Sequence, residues 1–170
     1  MIAIATAVMY AMVSVAAVTD VRWGKVPNVL TVPCAVAGIA LNALDSGLVG
    51  VTSSLAGIGI AIAVWLVLPL IGNALGGGDI KLFAAIGALR GHVFLLYAMA
   101  FSVLWAGLIA VCLAVARRTL LASCREIGHW AYGRACLGGA GPLPAAAVGL
   151  KVPFALGVAL GAVTTSLVLR

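Results

Sequence analysis

"LGGGDIKLFAAIGALRG" at residues 75–91 places an Asp and a Lys directly after three glycines and before an apolar run. The apolar part, 80–89, has the composition of a membrane span. At about 1.5 Å of rise per residue, however, it is too short to cross a hydrocarbon core of about 30 Å. We therefore predict a short helix that spans only if it begins in the loop at Asp79 or if the bilayer thins locally.

The composition of the whole chain indicates an integral membrane protein. Of its 170 residues, 65% are hydrophobic and 8% are charged, and the mean hydropathy is +1.26. Soluble domains carry about 25% charged residues. The net charge of +6 comes from ten basic residues scattered between apolar runs, without the basic stripe of a nucleic-acid-binding protein. We predict one membrane domain over 1–170, with the lipid bilayer as a partner and no nucleic acid.

Apolar runs separated by short polar breaks predict an all-α bundle of six transmembrane helices, the fourth of them short. The first run lacks the basic n-region of a cleaved signal peptide, so we expect it to be retained. The predicted spans are 2–19, 29–44, 51–72, 80–89, 92–116 and 152–169.

The basic residues predict the orientation of this bundle. Eight of them follow the first, third and fifth spans, whereas Arg90 and Arg170 fall on the opposite side. The positive-inside rule then places both termini outside the cytoplasm. The cytoplasmic loop 117–150 is predicted either as an interfacial helix over 119–136 or as a surface loop. The eight residues are Arg22, Lys25, Lys81, Arg117, Arg118, Arg125, Arg134 and Lys151.

Only four acidic residues occur in the chain, and two of them lie where a charge is costly. Asp45 and Glu126 fall in predicted loops, where we expect solvated charges. Asp20 and Asp79 lie at the edges of apolar helices on the predicted cytoplasmic side, and ionisable groups at membrane depth are functional candidates. Taken singly, each carboxylate would cap a helix or pair with a neighbouring basic residue.

Taken together, Asp20 and Asp79 predict the chemistry of an aspartic protease. Two carboxylates brought close share a proton, so that one acts as a base and the other as an acid, with no metal or cofactor. The chain has no HExxH or G-x-S-x-G motif and no Cys–His pair at a catalytic spacing. The helix ends predict a charge on Asp79, at a helix N-terminus, and the proton on Asp20, at a helix C-terminus.

Three segments carry a resemblance to a known family: "TDVRWGKVPN" at 19–28, "GGGDIKLFAAIGAL" at 76–89 and "KVPFALGVALGA" at 151–162. Their combination and order resemble the type IV prepilin peptidase family of membrane aspartic proteases. The resemblance implies an endopeptidase that cleaves the leader peptide of type IV prepilins or pilin-like proteins at the cytoplasmic face of the inner membrane.

The resemblance also implies roles for individual residues. Asp20 and Asp79 match the catalytic pair, and Gly76 and Gly78 match glycines that let the backbone bend and approach a bound peptide. The basic residues at matching positions either affect the charge of the catalytic carboxylates or contact the substrate. Alternatively, they serve only to set the topology. The remaining matches to substrate-binding or supporting positions are Arg22, Lys25, Pro27, Asn28 and Lys81.

The chain departs from the longer members of that family, which insert a zinc-binding methyltransferase domain with C-x-x-C motifs between their first two helices. Here only a few residues follow Asp20 before the second span, and the four cysteines form no C-x-x-C. Neither zinc nor S-adenosylmethionine is implied. The short form is similar to the peptidases of tight-adherence (Flp) pili, and archaeal preflagellin peptidases share its plan. The cysteines are Cys34, Cys112, Cys124 and Cys136.

Two other classes of function are compatible with the hydropathy. A small proton- or cation-coupled transporter would use intramembrane carboxylates and broken, glycine-rich helices. Against it, the two halves of the chain show no inverted repeat, and both carboxylates lie near one membrane face. A purely structural membrane subunit would leave the glycines and the two acids without a role.

Overall fold

The computed structural model describes residues 1–71, 77–116 and 154–169, together with four isolated positions in 117–150. The described residues form four helices: α1 (Ile2–Trp23), α2 (Asn28–Ile71), α3 (Gly77–Ala116) and α4 (Phe154–Val168). The predictions made for Gly76, for Glu126 and for most of the 117–150 loop lie outside these residues.

The helices have the length and composition of membrane spans. By these two criteria α1, α2 and α3 are long and apolar enough to cross a bilayer, whereas α4 is a shorter apolar helix. Their outer faces expose large apolar side chains such as Val29, Leu48 and Leu104, as a surface in contact with lipid would. The predicted all-α membrane fold is confirmed at this level.

Helix α2 folds back on itself at Gly47. This glycine has φ 58° and ψ −135°, a conformation outside the helical region. Asn42 Nδ2 on one side of it donates a 2.8 Å hydrogen bond to Ser54 Oγ on the other. A straight helix would separate these residues by about 18 Å, so the arms 28–46 and 48–71 lie side by side.

Helix α3 folds back in the same way at Gly91, which has φ 80° and ψ 176°. The Phe154 ring of α4 packs on Phe83, before the kink, with ring centroids 6.2 Å apart. Gly157, less than one turn further along α4, lies against Ala106, after the kink. Since a straight helix would separate Phe83 from Ala106 by about 35 Å, the arms 77–90 and 92–116 also lie side by side.

The described residues thus form four helices where the sequence predicted six, because the chain stays helical up to and beyond two kinked glycines. The breaks predicted after 44 and after 89 are these kinks and not loops. Asp45, predicted in a loop, lies inside α2, and its carboxylate pairs with the amino group of Met1 at 3.5 Å. Both kinks lie beside the start of α1, since Arg90 Nη1 also donates to Thr6 Oγ1 at 2.9 Å. We call this end the kinked end.

The inner arm 77–90 of α3 forms the centre of the bundle, and most of its residues from Leu82 to Leu89 are buried. Glycine pairs bring backbones together there: a Cβ added to Gly57 would lie 2.6 Å from the Gly87 carbonyl oxygen, and one on Gly38 would lie 2.7 Å from Ala88. Small residues are a common way to pack helices in membranes, where burial from water cannot drive association. The central arm is therefore held closely by both arms of α2.

Candidate active site

Asp20 lies in the last turn of α1, and Gly24 caps the end of this helix. Gly24 adopts the left-handed conformation (φ 63°, ψ 27°), and its N–H donates to the Asp20 carbonyl oxygen at 2.8 Å. Such a residue is the usual C-terminal stop of a helix. The chain then turns through Pro27, and α2 begins at Asn28. We call this end, opposite the kinked end, the site end.

Asp79 lies in the first turn of α3. The helix begins at Gly77, earlier than the 80–89 stretch predicted from the sequence. The N–H groups of a first helical turn have no partner within the helix and carry partial positive charge. Asp79 is half-buried, so its carboxylate lies in the field of its own helix, as its position in the sequence predicted.

Asp20 and Asp79 line one cavity of about 350 Å³. Asp20 and Asp79 are both half-buried in its wall. Two acids and two lysines around one water-accessible space can take up and release protons. Among the described residues, no group of three or more His, Cys, Asp or Glu side chains is placed to hold a metal ion. The lining residues are Asp20, Gly24, Lys25, Val26, Gly77, Gly78, Asp79 and Lys81.

The Asp20 carboxylate also reaches the start of α4. Its Oδ2 accepts a 3.0 Å hydrogen bond from the backbone N–H of Ala155, in the first turn of that helix. The sequence argument placed the proton on Asp20 because this residue ends α1. That argument no longer separates the two acids, since both carboxylates lie at helix N-termini.

The other predicted residues divide between the cavity and the surface around it. Lys81 Nζ donates a 2.9 Å hydrogen bond to Asn28 Oδ1, which ties the start of α2 to the first turn of α3. Lys25 and Gly78 line the cavity, whereas Arg22 and Pro27 are exposed and are not among its described lining residues. Gly76 lies outside the described part of the chain.

Sequence reasoning missed four contributors to this site. Gly24 had a readable signal, because a glycine after the last apolar residues of a helix and before a proline is typical of a helix stop. Gly77 and Val26 have no such signal of their own, and they only lie beside residues of the predicted motifs. The Ala155 amide could not be found from local sequence, because its contact with Asp20 joins residues 135 positions apart.

The sequence is similar to a known protein family. The sequence model of the type IV leader peptidase family matches residues 7–115, a range that contains both Asp20 and Asp79 and ends before α4. No curated protein and no solved structure matches the chain. The family match covers more than half of the sequence and confirms the resemblance seen in the motifs. It favours a peptidase over the transporter and over the structural subunit. The chain belongs to the type IV leader peptidase family.

Proposed function

We propose that the protein is a membrane aspartic endopeptidase that removes the leader peptide from type IV prepilins or pilin-like proteins. The observation that carries the proposal is that Asp20 and Asp79, from two different helices, line one cavity. The family match supplies the peptidase activity, and the carboxylates supply the means to activate water.

The proposed mechanism shares one proton between the two acids. The ionised carboxylate takes a proton from water, and the water oxygen attacks the carbonyl carbon of the scissile peptide bond. The protonated carboxyl donates its proton to the carbonyl oxygen. When the tetrahedral intermediate collapses, the carboxyl that took its proton from water passes that proton to the leaving nitrogen, and the C–N bond breaks. The other carboxylate takes a proton from a hydroxyl of the intermediate, which leaves the new carboxyl group and returns the pair to one shared proton. Acid–base catalysis of this kind contributes rate factors of about 10²–10⁴.

The proposed placement in the membrane follows from the folded-back helices. Each arm of α2 and α3 crosses once, which together with α1 and α4 gives six crossings and both termini on the non-cytoplasmic side. Arg22, Lys25 and Lys81 then lie with the site end at the cytoplasmic face, as the positive-inside rule requires. A prepilin presents its leader at that face while its hydrophobic helix stays in the bilayer. In this proposal the substrate is a pilin of the tight-adherence (Flp) type or an archaeal preflagellin-like protein, since the short form of the chain is similar to the peptidases of both.

Cleavage of a synthetic prepilin in lipid nanodiscs tests this proposal. We expect a shortened product from the unaltered protein and a loss of about 10²-fold or more in kcat for Asp20→Asn and for Asp79→Asn. Asp45→Asn is the matched control, since Asp45 pairs with the Met1 amine at the kinked end; this variant should cleave normally. Equal cleavage by all four proteins would exclude the two acids as the catalytic pair.

A further inference from the structure

The start of α4 contacts both of the helices that carry the acids. The Ala155 amide donates to Asp20 Oδ2 at 3.0 Å. Next to it, the Phe154 ring meets the Phe83 ring edge-on, with an interplanar angle of 76°. Helix α4 lies beyond the 7–115 range of the family match, so the match itself gives α4 no role in the site.

The first contact fixes the orientation of the Asp20 carboxyl group. A carboxyl near the end of a helix can rotate about two side-chain bonds, and each orientation presents different oxygens to a substrate. A hydrogen bond from a backbone N–H to a carboxylate is of the strong, charge-assisted kind. Ala155 is completely buried, so water does not compete at that amide, and Oδ2 of Asp20 is held at the start of α4.

The second contact fixes the start of α3. Phe83 follows Asp79 by one helical turn, and residues four apart lie on the same face of a helix. Phe83 is only 3% exposed and belongs to the buried core, against which Phe154 packs. The position of the Phe154 ring therefore limits how far the first turns of α3 can rotate, and with them Asp79.

We propose that the start of α4 is the positioning element of the site, holding Asp20 through the Ala155 amide and Asp79 through the Phe154–Phe83 contact. This inference rests on the proposed function. The two rings and the amide act on the reaction only through Asp20 and Asp79, so Phe83, Phe154 and Ala155 are positioning residues. Their loss should lower kcat and change its pH dependence while leaving substrate affinity in place.

Backbone ester substitution tests the amide directly. Replacing Ala155 by lactic acid, in protein made by cell-free synthesis into nanodiscs, exchanges the N–H for an oxygen and keeps the methyl side chain. We expect kcat to fall about tenfold or more with KM within about twofold. We also expect the pH–rate profile to differ from that of the unaltered protein, because the exchanged N–H contacts one of the two acids directly.

A control ester within the same helix separates positioning from stability. Replacing Leu160 by its hydroxy-acid analogue removes an N–H from the interior of α4 without touching Asp20. It should lower the unfolding temperature at least as much as the Ala155 ester and leave the pH–rate profile unchanged. If both esters give the same kcat and the same profile, the amide does not position Asp20.

The ring contact is tested by a double-mutant cycle of Phe83→Leu and Phe154→Leu. We expect each variant to lower kcat severalfold and the double variant to be no slower than the worse single one, since both remove one contact. Thr164→Val is the control, because it removes the 3.0 Å hydrogen bond from Trp105 Nε1 that joins α3 to α4 away from the site. This variant should change stability alone.

The outcomes distinguish this inference from the proposed function. Normal cleavage by the unaltered protein, with multiplicative effects in the cycle and unchanged pH profiles in the esters, overturns the positioning role and leaves the peptidase intact. Absence of cleavage by the unaltered protein overturns both.

Discussion

At the scale of single residues, the glycines of the chain fall into two kinds that the sequence alone does not separate. Gly57 and Gly87 touch backbone to backbone, and a Cβ on either would lie within 3.0 Å of the other. At Gly77 a Cβ would meet no atom of the described residues within 4 Å, and at Gly78 it would meet Val26 at an ordinary 3.6 Å. Gly77 and Gly78 also lack a positive φ. Packing among the described residues therefore does not require glycine at these two positions.

This difference predicts opposite effects of adding one methyl group. Gly78→Ala should keep or raise stability, by up to about 1 kcal/mol, because alanine favours the helix. It should nevertheless lower kcat/KM by about tenfold, because the methyl group occupies the space where a substrate backbone approaches. Thermal unfolding in detergent and prepilin cleavage measure the two effects. A stable Gly78→Ala protein that cleaves at the unaltered rate would show that the substrate does not use this surface.

Gly87→Ala provides the opposite case in the same helix. Its methyl group must push apart two backbones in the centre of the bundle, and overpacking of this kind costs about 1–3 kcal/mol. We expect a lower unfolding temperature, with any loss of activity following the loss of folded protein. An unchanged unfolding temperature would mean that the Gly57–Gly87 contact is looser than the structure shows.

At the scale of the helices, a kink leaves backbone carbonyl groups without their helical hydrogen-bond donors, and other parts of the chain must supply those donors. The carbonyls of Ala88 and Leu89 precede the kink at Gly91, where a helical arm ends and its last acceptors lose their partners. Asn42 Nδ2 donates to both, at 2.9 and 3.3 Å, and Ser54 Oγ donates to Ala88 at 2.9 Å. Inside a membrane no water replaces such bonds. The side chains of α2 therefore supply the donors for the last carbonyls of the central arm of α3.

Removing these donors should destabilise the fold in a graded way. Asn42→Leu leaves both carbonyls with fewer donors and should cost about 1–2 kcal/mol of unfolding free energy. Ser54→Ala should cost less, because Asn42 still donates to Ala88. Thr52→Ala is the control, since its hydroxyl bonds only to the Val49 carbonyl on an exposed turn. Unfolding in mixed detergent micelles measures all three, and equal values for Asn42→Leu and Thr52→Ala would contradict this role.

The same scale shows what the sequence could and could not predict. The apolar runs predicted the helical arms, because membrane helices need continuous apolar segments and polar breaks between them are easy to see. They did not predict that the chain stays helical on both sides of Gly47 and of Gly91. At Gly47 the reversal is held by the Asn42–Ser54 hydrogen bond, which forms only between the two folded arms. At the site, Asp20 and Asp79 were found from their cost in a membrane. The amide of Ala155 was missed because only tertiary packing brings it to Asp20.

At the scale of the whole molecule, charge and geometry divide the bundle into two unlike ends. The cavity, Lys25 and Lys81 lie at the site end. The Met1–Asp45 ion pair and the Arg90–Thr6 hydrogen bond lie at the kinked end, where Ser53 Oγ also lies 3.4 Å from His92 Nδ1. Cys34 packs against the core, Cys112 is exposed on α3, and both are free thiols within apolar helices. The proposed orientation places these two ends on opposite sides of the membrane.

Cysteine labelling decides which side each end faces. In a background with the native cysteines replaced by alanine, Lys25→Cys marks the site end and Ser46→Cys the kinked end; both positions are exposed. Because basic residues stay in the cytoplasm, a membrane-impermeant maleimide should label Ser46→Cys in intact spheroplasts and Lys25→Cys only in inverted vesicles. The reverse pattern would place both carboxylates outside the cytoplasm, where they could not meet a prepilin before its export. That result would contradict the proposed orientation even if purified protein still cleaved a prepilin peptide.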